Sequence, residues 1–279
     1  MLGQFIDSHH HLWRYSADQY PWMLGGMDSL RKDFLLPELQ VVTRQAGVTG
    51  TIAVQARQRI EETEWLLTLA EQSDLILAVV GWLPLVERKV GSHLASWAGH
   101  PKLRGVRHVL HDETDDFYML REAFNRGISL LKDFGLAYDI LIVERHLAQT
   151  IQFVDRHPNQ IFIIDHIAKP KIKDHIIAPW NAGIAELARR ENVYCKISGM
   201  ATEADWKFWT QDDLRPYFDT VLDAFGPQRL MFGSDWPVIQ VACDYNRWSS
   251  IVKSWIAELS SVEQRAIMAE TAKTAYSLR

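Results

Sequence analysis

The residues best equipped for chemistry stand at the head of the chain, in Asp7-Ser8-His9-His10-His11-Leu12-Trp13. Apolar Phe5-Ile6 precedes them and reads as the tail of a short buried strand. Side chains alternate along a strand, so His9 and His11 share one side while His10 takes the other. Two imidazoles converging at a strand end make half of a metal site, or a polar grip on a substrate. The triplet runs out of apolar residues and into Leu12-Trp13, which marks a built element rather than a run of surface histidines.

Further titratable residues follow at wide intervals: Arg107-His108, Tyr138-Asp139, Asp165-His166 with Lys169-Pro170 behind it, and Asp235 in Gly233-Ser234-Asp235-Trp236-Pro237. An aspartate here could cap a helix. Trp-Pro follows directly, however, and the next helical pattern starts well downstream, so Asp235 reads as a site residue. Arg107 and His108 alternate, so only one of them points inward. Lys169 is either a site lysine or a solvated loop lysine. His93, His100, His111, His146, His157 and His175 read as ordinary surface residues.

Groups so far apart in sequence can act together only if one fold gathers them. Apolar, β-branched runs recur at 5–6, 50–54, 76–82, 105–110, 136–143, 161–167, 193–197 and 230–232. Amphipathic helical patterns separate them, at 38–45, 60–70, 118–134, 144–156, 182–190 and 213–225, with two more at 245–259 and 261–278. Gly47, Gly135 and Gly226-Pro227 are helix stops, and Ser261 with Gln264 fits a capping box. Continuously apolar strands alternating with helices predict a parallel sheet covered by helices. No G-x-G-x-x-G follows a strand, which removes support for a dinucleotide-binding open sheet. A count of eight favours a single-domain (β/α)8 barrel over residues 1–279. In a barrel the C-terminal strand ends form one mouth, and that is where the titratable residues fall. The longest connection, residues 12–37, carries Trp13, Tyr15, Tyr20, Pro21 and Trp22, and is expected to flank or plug that mouth.

Composition narrows the partners. The 279 residues are 47% hydrophobic with a net charge of −5. No basic run is present, so nucleic acid and anionic membrane are poor partners. Cys195 and Cys243 lie far apart without C-x-x-C spacing, which suits a reducing compartment. No leader-like or membrane-spanning apolar run is visible, so a cytoplasmic protein is expected, as a monomer or homodimer.

Four stretches together resemble the amidohydrolase superfamily: Asp7 to Trp13, Gly105-Val106-Arg107-His108-Val109-Leu110, Asp165-His166-Ile167-Ala168-Lys169-Pro170, and Met231-Phe232-Gly233-Ser234-Asp235-Trp236-Pro237. The resemblance is nearer still to its sugar-lactonase branch, the L-fuconolactonase and L-rhamnonolactonase-like enzymes. It covers nearly the whole chain and implies a distorted (β/α)8 barrel that hydrolyses lactones. It also implies a polar core of His9, His11, His166 and Asp235, with Arg107, Lys169 and Trp236 at substrate-holding motif positions. The sequence departs from binuclear members: strand four offers no lysine and strand five no histidine. Two cofactor states follow. No cofactor is the expectation, and the alternative is one divalent cation, Zn²⁺, held by His9, His11 and Asp235 with His166 nearby.

The expected reaction is hydrolysis of a 1,4- or 1,5-aldonolactone, such as a fucono- or rhamnono-lactone, to the sugar acid. Asp235 is assigned as general base on water. His9, His11, His166 and Arg107 would stabilise the oxyanion. Arg107, His108, Lys169 and Tyr138 would meet sugar hydroxyls, and Trp13, Trp22 and Trp236 the apolar ring face. Two rivals stay open at this stage: a metal-dependent hydrolase or decarboxylase of the same superfamily, and a non-catalytic binder of sugar acids.

Overall fold

A computed structural model describes residues 3–97 and 99–278. Eight parallel strands follow in sequence order: β1 (Ile6–His10), β2 (Gly50–Val54), β3 (Ile76–Gly81), β4 (Leu103–Val109), β5 (Ala137–Leu141), β6 (Phe162–Ile164), β7 (Val193–Ile197) and β8 (Leu230–Phe232). Each pairs with the next. Helices cover the outside: α1 (Leu36–Ala46), α2 (Ile60–Glu71), α3 (Val90–Trp97), α4 (Glu122–Leu131), α5 (Leu147–Asp155), α6 (Trp180–Ala188), α7 (Gln211–Phe225) and α8 (Tyr245–Trp255). This is the (β/α)8 barrel that the alternation predicts.

The ring closes between its last and first strands, and the closing bonds come from the candidate site itself. The Asp235 amide donates to the His9 carbonyl at 2.8 Å, and the His11 amide to the Trp236 carbonyl at 2.7 Å. Below them the Ser8 hydroxyl donates to the Phe232 carbonyl at 2.6 Å. Buried Asp7 holds the outside of this seam, accepting from the Ser234 amide and hydroxyl and from Tyr245 Oη. Burial outweighs those bonds and pushes the Asp7 carboxyl up to about 6.

Two apolar layers result from strand alternation. Outward residues such as Val106, Tyr138, Ile140, Phe162 and Ile197 pack against the helices. Inward residues Ile6, Ile52, Val80, Ala137, Ile163 and Met231 form a smaller inner core. The C-terminal segment closes that end with Ala269, Ala272, Ala275 and Tyr276. It is not the single helix that the pattern over 261–278 predicts. A π-helical turn, Ala266–Glu270, interrupts α9 (Ser261–Arg265) and α10 (Thr271–Ala275), and the capping pair is Ser260 with Glu263.

Between inner core and mouth lies a layer of charge. Arg107 from β4, Asp139 from β5, Asp165 just after β6 and Lys196 from β7 all point inward. They pair in the order Asp139–Lys196–Asp165–Arg107. Lys196 Nζ donates to Asp139 and forms an ion pair with Asp165 Oδ1 at 2.9 Å, and Arg107 Nη1 donates to Asp165 Oδ2 at 2.9 Å. Tyr276 Oη donates to Asp139 at one end, and Arg107 Nη2 to the Gln55 carbonyl at the other. Two cations offset two anions, so the layer is neutral as a unit. Burial drives Asp139 up to about 6 against the pull of Lys196. Burial also opposes ionisation of Asp165, but Lys196, His9 and Arg107 outweigh it and hold that carboxyl well below the usual range.

Removing one member of such a layer leaves its neighbours' charge buried without an opposite. Lys196→Met is expected to cost about 3–5 kcal/mol of unfolding free energy. Tyr276→Phe, which removes one neutral donor, should cost only about 1 kcal/mol. Urea unfolding of both variants checks this, and equal losses would contradict a charge-coupled layer.

Candidate active site

Several strand ends deliver side chains to the mouth. His9 and His11 leave β1 on the same side, while His10 turns outward to Thr51 Oγ1 at 3.0 Å. His9 Nε2 and His11 Nε2 stand 3.2 Å apart. Asp235 Oδ1 lies 3.8 Å from the first and 3.4 Å from the second. His166 Nε2 lies 3.9 Å from the same oxygen. Three imidazoles and one carboxylate thus meet at one point, all of them buried.

Unusual backbone aims two of these groups. Asp235 has φ +57°, and four consecutive residues, His166, Ile167, Ala168 and Lys169, have φ of +52°, +49°, +61° and +44°. None is glycine. A left-handed turn of such residues costs roughly 1–2 kcal/mol per residue, so tertiary contacts must hold it. The apolar 161–167 run predicts strand through Ile167, but the strand ends at Ile164 and the rest forms this turn. It throws His166 and Lys169 toward the cavity and buries Ile167 and Ala168. Gly199, after β7, makes room for the His166 ring: a Cβ there would meet ring atoms at 2.6 Å.

Hydrogen-bond partners constrain the tautomers. His11 Nδ1 faces the Val54 carbonyl at 2.8 Å. A carbonyl only accepts, so Nδ1 carries the proton and Nε2 is a bare lone pair. His9 Nδ1 lies 3.3 Å from Asp165 Oδ1 and 3.1 Å from Lys196 Nζ. The ammonium can only donate and the carboxylate only accept, so these two contacts suit either tautomer of His9; with the proton on Nδ1, toward Asp165, Nε2 is bare as well. Two nitrogen lone pairs and a carboxylate oxygen then face one another, an arrangement that a shared cation relieves. Around tetrahedral Zn²⁺ the ligand atoms stand roughly 3.3–3.5 Å apart. The separations of 3.2, 3.4 and 3.8 Å bracket that range. The donor set therefore fits one divalent ion.

The electrostatics agree with neutral imidazoles around an ionised acid. Burial pushes His9 and His166 well below the ordinary histidine value. Burial would raise Asp235, but the polar groups around it, Lys169 among them, outweigh burial and bring its pKa below the usual 3.8.

Above this point opens a cavity of about 680 Å³. Arg107, Lys169, His11, His166 and Asp235 reach it from below and from the side. Lys169 Nζ is paired with Glu203 at 2.6 Å. The long connection after β1 supplies Pro21, Trp22, Leu24 and Met27, facing Trp206 and Glu203 from the segment after β7.

Four residues expected at the substrate lie elsewhere. Trp13 is buried among Tyr20, Trp22 and Phe34, and Trp236 packs on Phe34. Tyr138 faces outward among Phe124, Phe153 and Phe162, as strand parity with inward Asp139 requires. His108 also faces outward, stacked on Tyr118 and bonded to Glu113 at 2.7 Å. Two histidines read as surface residues are not: His146 is buried, and His111 lines the cavity beside Asp112. Lys196 and Asp139 went unassigned. The available signal was a charged residue at inward parity within an otherwise apolar strand.

A parallel barrel with histidines and an aspartate converging at its C-terminal mouth defines a hydrolase-type site with room for one metal ion. The amidohydrolase family model matches residues 6–278, and the chain belongs to that family. It is 42% identical to an L-fucono-1,5-lactonase of Burkholderia multivorans, over 98% of this chain and 96% of that one. It is 36% identical to an L-fucono-1,5-lactonase of Burkholderia ambifaria, over 87% and 84%. A crystal structure of an amidohydrolase from Burkholderia multivorans with bound zinc superposes with a TM-score of 0.95 at 41% identity, covering 99% of this chain and 100% of that one.

Gly199→Ala places a methyl against the His166 ring and is expected to lower hydrolytic turnover about a hundredfold, the order of loss that a small misplacement produces. Steady-state kinetics with circular dichroism as a fold control checks it. Turnover within about threefold of wild type would show that the ring's seat is immaterial.

Proposed function

We propose that this hydrolase opens the ring of a sugar 1,5-lactone, with a deoxy-hexonolactone of the L-fucono type as its substrate. The observation that carries the reading is the meeting of His9, His11, His166 and Asp235 under one cavity in a chain that matches two L-fucono-1,5-lactonases along most of its length. The cavity suits a sugar ring. Lys169, Glu203, His111 and Asp112 offer polar contacts to hydroxyls, and Trp22, Met27, Trp206 and Val238 an apolar wall.

Asp235 is the general base. The water oxygen bonds to the lactone carbonyl carbon while its proton passes to the Asp235 carboxylate. His166, with Nδ1 taking the Ser198 hydroxyl proton at 2.8 Å, presents Nε2–H to the developing oxyanion. Arg107 adds positive charge at the cavity floor, fixed by Asp165 and the Gln55 carbonyl. The bond from carbonyl carbon to ring oxygen then breaks, and the departing alkoxide takes its proton from Asp235, with Lys169 the second donor in reach. One water is consumed and one hydroxy acid released. Of the two cofactor states open at the outset, the lone-pair geometry favours a divalent ion held by His9, His11 and Asp235. Such an ion supplies Lewis-acid polarisation and a more acidic water.

Four outcomes are expected. A pH-indicator screen of 1,4- and 1,5-lactones should show the fastest turnover with L-fucono-1,5-lactone, and no turnover of any lactone would refute the reading. Asp235→Asn should remove hydrolysis while the fold persists, whereas a kcat above about a tenth of wild type would exclude Asp235 as base. Chelation should abolish activity and added Zn²⁺ restore it, with metal analysis near one ion per chain. Full activity without metal would return the cofactor question to its metal-free answer. The base is active when ionised, and its low pKa keeps it so in mild acid; a bound ion shifts it the same way. The kcat/KM profile should therefore be flat down to about pH 5, and an acid limb near 6.5 would contradict it.

A further inference from the structure

The left-handed turn His166–Lys169 carries two of the groups that face the cavity, yet nothing in its own sequence favours the conformation. All four residues have positive φ, and one is β-branched Ile167, a residue type for which that region is an outlier. Within the turn, the Lys169 amide donates to the His166 carbonyl at 2.8 Å. A second bond comes from outside: Trp180, the first residue of α6, donates from Nε1 to the Ile167 carbonyl at 2.8 Å. Both partners are buried, Trp180 at 1% exposure and Ile167 at 0%. The indole packs against Tyr217 of α7, so a two-helix wall fixes its direction. Were the turn to relax toward right-handed backbone, the Ile167 carbonyl would swing away from the indole and lose its partner in an apolar surround.

We propose that Trp180 is a positioning residue for the reaction. Its indole N–H holds the strained turn in its left-handed form and so places His166 against Asp235 and Lys169 against Glu203. Trp180 does not line the cavity and touches no reacting group; it acts through the backbone between the two that do. The activity readout rests on the lactonase reading above.

The test pairs a loss with a specific rescue. Trp180→Phe keeps the ring and removes the donor. It should lower kcat for L-fucono-1,5-lactone about thirtyfold or more, within the order expected for misplaced groups, with KM changed far less. Glycine adopts positive φ without strain, so Ala168→Gly in the same chain should recover at least tenfold of that loss. Lost packing alone would not respond to a glycine in the turn. Hydrogen exchange at the Lys169 amide gives a readout independent of turnover: about tenfold faster in Trp180→Phe, slowed again in the double variant. Wild type that hydrolyses no lactone would sink the functional reading and leave the exchange test standing. Trp180→Phe with kcat within threefold of wild type and unchanged exchange would overturn the proposal, as would a loss that Ala168→Gly leaves untouched. Should Trp180→Phe not fold, the double variant decides: folded and active supports the brace, insoluble overturns it.

Discussion

The structure depends on how it tolerates two aspartates, a lysine and an arginine inside a barrel. A lone buried charge is prohibitive, and a lone buried pair is at best near break-even. Alternation solves the problem here. Asp139, Lys196, Asp165 and Arg107 come from β5, β7, the end of β6 and β4, and in this order of contact each faces a neighbour of opposite sign. The layer is neutral overall and ends on neutral partners, the Tyr276 hydroxyl and the Gln55 carbonyl. Its upper surface is not inert. Asp165 reaches His9 Nδ1, and Arg107 Nη1 lies 3.4 Å from His9 Nε2. The charges that let the barrel interior close therefore also contact both ring nitrogens of His9.

Fold and site share a second joint. The ring closes by backbone bonds between 9–11 and 235–236, so the histidines and the aspartate are held at one distance by the seam that completes the sheet. Sites on rigid elements hold geometry better than sites on loops. The cavity's outer wall, with Trp22, Leu24, Met27 and Trp206, comes from long connections. His166 and Lys169 are intermediate: they sit on a turn whose strain the surrounding packing must hold.

Much of this was legible in the sequence. Period-two reasoning put His9 and His11 together and His10 outside, and the strand count gave the barrel. Strand parity at Arg107-His108 demanded one inward residue, and the same rule lets only one of Tyr138 and Asp139 face inward. What stayed hidden has physical causes. Ile167 ends an apolar run and reads as strand, but contacts from α6 override that local preference. Helix α3, Val90–Trp97, is short and carries Gly91 and two serines, a weak helical signal. Trp13 and Trp236 suit a sugar face by type, but aromatic packing on Phe34 claims both. Lys196 lay in plain view within Val-Tyr-Cys-Lys-Ile, where a cation has no reason to be unless an anion faces it.

The central claim is that the buried charge layer orients His9 so that its Nε2 joins His11 and Asp235 as a ligand set. Calorimetric titration of Zn²⁺ into metal-free Asp165→Asn and wild-type protein tests this directly. Partners behind a ligating histidine are typically worth 10–100-fold in metal affinity, so a loss of that order with the barrel still folded is the expected result. Equal affinity in the two proteins would mean that His9 needs no help from the layer beneath it, and the account would fail at its root.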